Sequence, residues 1–313
     1  MMSLSVKNGR FLQKVRGLRL LLAQKALNPF MRKLGFTVIA DHFYQPIPND
    51  KELRTYATRE RPLNSIKWKL EKQVAYVEYL LKKYEHEFND PTITANWRYL
   101  RQKAPFGRGD AEFLYTMIRE YKPQNIVEVG SGASTQIIRT GLTKNYQETS
   151  ESAQFLSIEP YPKPFLLQLT GMDEEGIIFQ LEKTPVQKIN LLHFESLGKN
   201  DILFVDSSHV YKQGSDVEFE FLQIYPLLKK GVIVHIHDIF FPFDYPLEWN
   251  LKQYRFWNEQ YYLEVFLQFN EKFETLASLS MVAHRKKQVF QKFLKEFPED
   301  RIPGSFWMQS LMD

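Results

Sequence analysis

Residues 124–135 constrain the fold of this chain more than any other stretch. A short apolar run over residues 126–129 ends abruptly at Gly130 and Gly132, and a helical pattern of apolar residues follows. This order predicts a buried strand, a glycine turn and a helix N-terminus. Glycines let a ligand approach the backbone, and the first turn of a helix offers unpaired N–H groups. The stretch is therefore predicted to form one half of a ligand site.

The residues around the turn narrow the class of ligand. Glu128 lies inside the predicted strand, where a carboxylate is costly unless it has a partner. The turn lacks the third glycine of a dinucleotide-binding loop, because Ser134 and Thr135 follow it, and no Walker lysine comes after it. This pattern argues against bound phosphates and favours a nucleoside cofactor without them.

After residue 124 the chain alternates between predicted strands and helices, which is typical of a parallel sheet. Long helices are predicted upstream over residues 63–89 and 110–121. The chain of 313 residues is therefore predicted to consist of a basic helical extension or cap, residues 1–104, and an α/β domain, residues 105–313. The further predicted strands are residues 155–159, 177–181, 201–206, 232–237, 273–280 and 305–309.

Four predicted strands carry polar residues at their carboxyl ends, which is where open parallel sheets bind ligands. Glu159 ends the strand after the glycine turn, so it is predicted to accept hydrogen bonds from ribose hydroxyls. The other groups are Gly130-Ser131-Gly132, Asp206-Ser207-Ser208-His209 and His237-Asp238.

These motifs resemble those of the class I S-adenosylmethionine-dependent methyltransferases. The resemblance rests on Glu128-Val-Gly130-Ser-Gly132-x-Ser134-Thr135, Ser157-Ile-Glu159 and Leu203-Phe-Val-Asp206-Ser-Ser-His209. Within that class the chain is similar to the methyltransferase family 24 branch, which is itself similar to macrocin-type O-methyltransferases and cephalosporin-hydroxylase-type proteins. The resemblance covers about residues 105–310. It implies a Rossmann-like, doubly wound, seven-stranded sheet whose last strand is antiparallel.

The resemblance also implies a binding site for S-adenosylmethionine. In that site Glu159 would hold the ribose, and Gln187 would lie near the adenine. The implied cofactor-binding residues are Glu128, Gly130, Ser131, Gly132, Ser134, Thr135, Glu159, Gln187, Asp206 and Ser207.

A divalent metal is a second implied cofactor. Metal-dependent relatives take their ligands from the acid that ends the fourth strand and from an acidic pair that ends the fifth. Asp206 and Asp238 match two of these acids, whereas His237 stands where the third would be. Two carboxylates and an imidazole can hold a divalent ion, and softer ions accept imidazole better than Mg²⁺ does. The predicted metal ligands are Asp206, His237 and Asp238.

A hydroxyl that attacks the sulfonium methyl group must lose its proton, so a base or a metal is expected. Histidine suits this work at neutral pH, and His209, His237 and Asp238 are the candidate catalytic residues. The alternative for His209 is a hydrogen-bonded structural role. His235 lies deeper in the same strand as His237 and is predicted to be a core histidine.

Two aromatic stretches are candidates for substrate contact. One is the proline-rich loop with His42 and Tyr44, and the other follows Asp238 and includes Phe241 and Tyr245, with Trp257 continuing it. Aromatic faces stack on sugars and planar acceptors, but loops of this kind also simply pack against a core.

The N-terminal end is strongly basic. Residues 1–40 contain eight Lys or Arg and no acid, although the whole chain has a formal net charge of only +4. Residues 10–34 are predicted to form a basic amphipathic helix, either docked peripherally on an anionic bilayer or packed on the protein with a solvated basic face. Nucleic acid is not an expected partner, and oligomer formation is left open.

The absence of cysteine fits a reducing compartment, so the predicted location is the cytoplasm, with peripheral contact at the inner membrane surface. The predicted function is O-methylation of a hydroxyl on a sugar or glycosylated metabolite, in bacterial polysaccharide or secondary metabolite biosynthesis. Two alternatives stay open: a metal-dependent hydroxylase-like enzyme on the same fold, and a non-catalytic membrane-associated scaffold.

Overall fold

The computed structural model describes residues 15, 17–41, 44–97, 106–169, 171–172 (backbone only) and 176–313. The chain divides into two compact units. The smaller comprises Met1–Thr58 and Pro246–Phe256, and the larger comprises Arg59–Tyr245 and Trp257–Asp313. The predicted boundary after residue 104 falls inside the larger unit.

The larger unit is built on one sheet. Its strands are β1 (Asn125–Val129), β2 (Ala153–Ile158), β3 (Gly171–Met172), β4 (Ile177–Glu182), β5 (Ile202–Val205), β6 (Ile233–Ile236), β7 (Phe273–Ser278) and β8 (Phe306–Ser310). The strand order in the sheet is β3-β4-β2-β1-β5-β6-β8-β7. Strands β4, β2, β1, β5 and β6 pair in parallel, whereas β8 is antiparallel to both β6 and β7.

The predicted Rossmann-like, doubly wound fold is confirmed, including the antiparallel last strand. The seven longer strands form the predicted sheet, and the two-residue β3 adds an eighth, antiparallel to β4. The sheet begins with the central strand β1. The chain first adds β2 and β4 on one side of β1 and later adds β5 and β6 on the other side, so the strand order reverses between β1 and β5. Ligands of such sheets bind outside the strand ends at this reversal.

The helices of the larger unit precede the first strand or lie between strands along the chain. The predicted helix over residues 63–89 begins only at Leu70, because Leu63 and Lys69 adopt left-handed φ angles of 48° and 45°. The α-helices of the larger unit are Leu70–Phe88, Asp110–Tyr121, Ala133–Thr149, Leu192–Glu195, Asp216–Phe219, Glu259–Leu267, Leu279–Lys286 and Gln288–Phe293. Shorter 3₁₀ turns are Leu166–Gln168, Val186–Lys188 and Tyr225–Leu227, and Glu220–Ile224 is a π-helical turn.

The core has two layers, one on each face of the sheet. Along β5, Ile202 and Phe204 belong to one layer, and Leu203 and Val205 belong to the other. Successive side chains of a strand point to opposite faces, so a strand covered on both sides is mostly apolar. This explains the largely apolar sequences that precede the polar strand ends.

A buried ion-pair network holds three helices together beside the sheet. Arg119 is almost fully buried and donates to Glu87 at 2.7 Å, and it also bonds to Asn145 and Glu148. The Tyr115 hydroxyl donates to the same Glu87 carboxylate. A buried guanidinium is tolerated only when it is fully paired. The network therefore fixes the helix Ala133–Thr149, which starts at the glycine turn.

Among its described residues, the smaller unit has three helical segments. A π-helical turn, Leu22–Leu27, continues into Asn28–Met31 and a 3₁₀ turn, Arg32–Leu34, and the other two helices are Asp50–Tyr56 and Leu247–Gln253. Within the described part of the chain, no helix is both long enough and apolar enough to cross a bilayer.

Candidate active site

The glycine turn lies against the end of the neighbouring strand β5. Gly130 has a φ of 82°, and a Cβ atom at this position would stand 1.9 Å from the carbonyl oxygen of Asp206. Only glycine fits both the left-handed conformation and the contact. The turn that leads into the helix Ala133–Thr149 is thereby in contact with the acid that ends β5.

Glu128 lies beneath the turn and shapes it from inside. Its carboxylate is fully buried and accepts hydrogen bonds from the hydroxyls of Ser134 at 2.7 Å, Thr135 at 2.8 Å and Ser157 at 3.2 Å. Burial raises the pKa of Glu128 to about 7, although these three hydroxyls act in the opposite direction. Glu128, Ser134 and Thr135, predicted as cofactor contacts, are placed by the structure where they hold the turn in shape.

Glu159 is held at the mouth of the turn. One of its carboxylate oxygens accepts the Ser131 N–H at 3.2 Å and the other accepts the Tyr161 N–H at 2.8 Å. The side chain is partly exposed, and a carboxylate has about four acceptor positions. Each oxygen of Glu159 can therefore accept one more donor, which fits the two hydroxyls of a ribose.

Two histidines converge on one carboxylate oxygen at the ends of β5 and β6. His209 Nε2 lies 3.3 Å from Asp206 Oδ1, and His237 Nδ1 lies 3.4 Å from the same atom. Asp238 stands beside both, 3.7 Å from each imidazole. His209 and Asp238 have positive φ angles of 60° and 55°, a strained conformation that is common at active sites. We call Asp206, His209, His237 and Asp238 the strand-end cluster.

The electrostatics of the strand-end cluster follow from burial and pairing. Burial raises the pKa of Asp206, but His237 and His209 more than offset this and hold it well below its usual range. Burial lowers the pKa of both histidines, yet the carboxylates beside them raise that of His209 well above 6.5 and that of His237 to about 9. Burial raises the pKa of Asp238. At neutral pH the cluster therefore pairs two imidazolium ions with carboxylates.

The strand-end cluster contains a donor set for a divalent ion. Asp206, His209 and Asp238 each offer one ligand atom, and these atoms lie within 4.8 Å of one another. The set shares Asp206 and Asp238 with the predicted one, but His209 supplies the imidazole, and His237 lies beside the same Asp206 oxygen. Mixed oxygen and imidazole donors suit Mn²⁺, Fe²⁺ or Zn²⁺. The residues therefore fit a metal, which would have to displace the protons of any imidazole that binds it.

Two residues whose contact with His209 the sequence did not reveal support this histidine. The carboxylate of Glu259, which is fully buried, lies 2.8 Å from His209 Nδ1, and the Trp257 ring centre lies 4.3 Å from that of the imidazole. Trp257 was predicted only as part of an aromatic stretch for substrate contact. Glu259 starts the helix Glu259–Leu267, where an acid is so common that nothing in the sequence marks it.

Two of the predicted substrate contacts, Phe241 and Tyr245, are buried side chains. Phe241 is fully buried and packs against Trp68 and Phe306, and the nearly buried Tyr245 accepts the Gln260 N–H with its hydroxyl. Both rings are therefore core side chains in this structure, because the loop after Asp238 turns inwards, so of the two alternatives left open for this loop they follow packing against the core.

Four further predicted contact residues are Gln187, Ser207, Tyr44 and His42. The Gln187 amide donates to the Gly214 carbonyl, and the Ser207 hydroxyl donates to the buried Glu220. Tyr44, in the smaller unit, is 80% exposed, and His42 lies outside the described residues.

His235 is a core residue, as expected. Its Nε2 pairs with the Ser305 hydroxyl at 3.0 Å and its ring stacks on Phe204. Burial holds the pKa of His235 well below 6.5, so it stays neutral.

Residues 127–239, which span the glycine turn and the strand-end cluster, match the profile of a family described as a methyltransferase domain, Methyltransf_24. This chain belongs to the class I S-adenosylmethionine-dependent methyltransferases. It is also a relative of an uncharacterized protein from Archaeoglobus fulgidus. The two are 32% identical over 212 residues, which cover 64% of this chain and 89% of that protein.

Solved methyltransferase structures resemble this methyltransferase distantly. The Podospora anserina methyltransferase PaMTH1, solved with S-adenosylhomocysteine, is 16% identical and gives a TM-score of 0.42 over 73% of this chain and 93% of its own. The TDP-rhamnose 3′-O-methyltransferase CalS11 of calicheamicin biosynthesis is 12% identical, with a TM-score of 0.37 over 82% and 98%. Likeness at this level says nothing about the acceptor of this methyltransferase.

Proposed function

We propose that this methyltransferase methylates a hydroxyl oxygen of a small acceptor from the sugar or glycosylated-metabolite class. The observation that carries the proposal is the convergence of His209 and His237 on one oxygen of Asp206. A hydroxyl is a weak nucleophile near pH 7 unless a base accepts its proton or a metal lowers its pKa. A neutral amine acceptor would not need such a cluster.

The cofactor half of the proposal rests on the turn. A Cβ atom placed on Gly132 would meet no atom within 4 Å, so a cofactor has room to approach the backbone there, and Glu159 accepts the ribose hydroxyls while two backbone N–H groups fix its carboxylate. When bound, S-adenosylmethionine supplies an electrophilic methyl carbon. The contact between Gly130 and Asp206 brings this half of the site next to the strand-end cluster.

The acceptor half rests on the strand-end cluster. Glu259 binds His209 Nδ1, so His209 presents Nε2 towards Asp206 and Asp238. This nitrogen can take the acceptor proton only when it is neutral, and its surrounding carboxylates favour the protonated form. We therefore include a divalent cation at Asp206, His209 and Asp238 in the proposal. It would polarise the acceptor hydroxyl and lower its pKa, so that the hydroxyl proton could pass to the Asp238 carboxylate, whose pKa is raised by burial, as the methyl group moves from sulfur to oxygen.

The Trp257 ring supports a sugar as the acceptor. It is partly exposed and lies against His209, so one aromatic face borders the strand-end cluster. Aromatic faces carry the apolar side of a sugar ring, and two neighbouring sugar hydroxyls offer oxygens to a cation.

Isothermal titration calorimetry with S-adenosylhomocysteine tests the cofactor half. Glu159→Ala should weaken binding at least about tenfold, because two hydrogen bonds to a charged acceptor are lost. Glu151→Ala is the matched control, since this exposed acid lies just before the other end of β2. Absence of heat with the wild-type protein, or unchanged affinity in Glu159→Ala, would contradict the assignment.

A screen of nucleotide sugars and glycosides for methyl transfer tests the acceptor half, with product analysis to locate the new methyl group. Methylation at oxygen that depends on an added divalent cation is the expected result. A methyl group on nitrogen or carbon would refute the proposal.

A hydroxylase-like enzyme is the second candidate, for one specific reason. Two imidazoles and one carboxylate converge here, and non-haem iron oxygenases use the same donor types. Oxygen consumption with Fe²⁺, without S-adenosylmethionine, would favour this candidate. Methyl transfer under anaerobic conditions would exclude oxygen from the reaction.

A further inference from the structure

The helical segment of residues 17–34 has almost no protein packed on it. Ala23 is the only buried residue among the described residues up to position 41. Helices of this length are marginal in water, and in proteins they gain most of their stability from packing an apolar face. The segment therefore needs a surface on which to bury its apolar side chains.

The exposed side chains of the segment include many large apolar ones. Leu27, Phe30 and Leu34 follow one another at spacings of three and four residues, so they share a face with the buried Ala23. Exposed fractions of the large apolar side chains range from 48% to 64%. These residues are Leu18, Leu21, Leu22, Leu27, Phe30 and Leu34.

The charges of the segment decide which surface fits. Arg19, Lys25, Arg32 and Lys33 are all exposed, and the first 40 residues contain no acid. A second copy of the segment would bring like charges together, and nucleic acid would leave the apolar face in water. An anionic bilayer satisfies both features, because its headgroups attract the cations while its acyl boundary accepts the apolar side chains.

We propose that the segment of residues 17–34 docks this methyltransferase on the surface of an anionic phospholipid membrane. The proposal concerns the smaller unit alone and does not depend on the acceptor or on the metal. A bilayer-bound helix would lie in the interface with Leu27, Phe30 and Leu34 inserted and with the basic side chains at the headgroups.

Vesicle co-sedimentation of the full chain tests the proposal. The two vesicle types are pure phosphatidylcholine and an equal mixture of phosphatidylcholine and phosphatidylserine. The chain should sediment with the mixed vesicles only, and added salt should weaken binding. Replacing Leu27, Phe30 and Leu34 together by Ser should weaken binding at least about tenfold, because apolar burial drives insertion.

Matched controls separate the segment from general surface effects. Val265→Ser with Phe269→Ser changes two exposed apolar side chains of the larger unit and should leave vesicle binding unchanged. Arg32→Gln with Lys33→Gln should weaken binding, whereas Lys82→Gln with Lys286→Gln, also exposed, should not. Heat of S-adenosylhomocysteine binding should be the same in all these variants, which shows that the larger unit remains folded.

Three results would overturn the proposal. One is the absence of binding to the mixed vesicles, and another is wild-type binding by the Ser triple variant. The third is a wild-type dimer that the same triple variant converts to a monomer without any vesicle binding, which would assign the segment to a second copy of the chain.

Discussion

Replacing Glu128 by Gln should flatten the pH dependence of folding stability. Burial raises the pKa of this carboxyl from 4.5 to about 7 in the folded protein. The folded state therefore keeps a proton on Glu128 over a pH range in which the unfolded chain has already released it. Folding stability must fall as the pH rises through this range, because the unfolded state binds fewer protons than the folded one.

The size of the effect follows from the same pKa values. Below pH 4.5 the carboxyl is protonated in both states and costs nothing, whereas above pH 7 the folded protein must bury a carboxylate. At 1.36 kcal/mol per pH unit, the free energy of unfolding should fall by about 3 kcal/mol across the whole range. Gln at this position does not titrate, so the variant lacks this fall.

Urea unfolding followed by tryptophan fluorescence measures the difference. Between about pH 5 and about pH 8, Glu128→Gln should gain roughly 2–3 kcal/mol relative to the wild type. Lost or altered hydrogen bonds to Ser134, Thr135 and Ser157 shift the whole curve but do not depend strongly on pH. Glu299→Gln, at an exposed site, should leave the curve unchanged. Parallel curves for Glu128→Gln and the wild type would refute the reasoning.

Three further predictions concern the turn, the helix network and the metal. Gly130→Ala should cost roughly 2–4 kcal/mol of stability by urea unfolding, from steric overlap and left-handed strain, whereas Gly132→Ala meets no atom within 4 Å and should be tolerated. Arg119→Met should cost about 3–5 kcal/mol because it leaves the buried Glu87 carboxylate without its guanidinium partner, and adding Glu87→Gln should restore part of the loss in the same assay. Chelation should lower the rate of methyl transfer and added divalent ion should restore it; a rate insensitive to chelator would remove the metal from the proposal.

Most of the sheet could be predicted because its signals are local. The strands that end at the site are mostly apolar, and the polar residues that follow them, such as Glu159 and Asp206, lie where the topology brings strand ends together. The helix over residues 110–121 was predicted with the bounds that the structure shows. Apolar periodicity and glycine turns act over a few residues, so sequence alone reveals them.

What could not be predicted depends on contacts between distant residues. Glu259 reaches His209 across 50 residues, and no local pattern announces such a pairing. The aromatic residues Phe241 and Tyr245 give the same sequence pattern whether they line a cleft or fill a core. Only the path of the loop decides which of the two environments they occupy. Asp216–Phe219, Glu220–Ile224 and Tyr225–Leu227 are three successive short helical elements and not one regular helix, and Pro226 in the last of them has no N–H to donate.

The contact between Gly130 and the Asp206 carbonyl has a consequence for how such an enzyme can change. In the proposed function the turn holds the methyl donor and Asp206 faces the acceptor. The two backbone segments touch at this point, with no side chain between them to absorb a displacement. A new acceptor would therefore not be accommodated by shifting the end of β5, since the turn would move with it. Variation would have to come from the residues that surround this contact. A change of substrate could then leave the distance over which the methyl group is transferred unchanged.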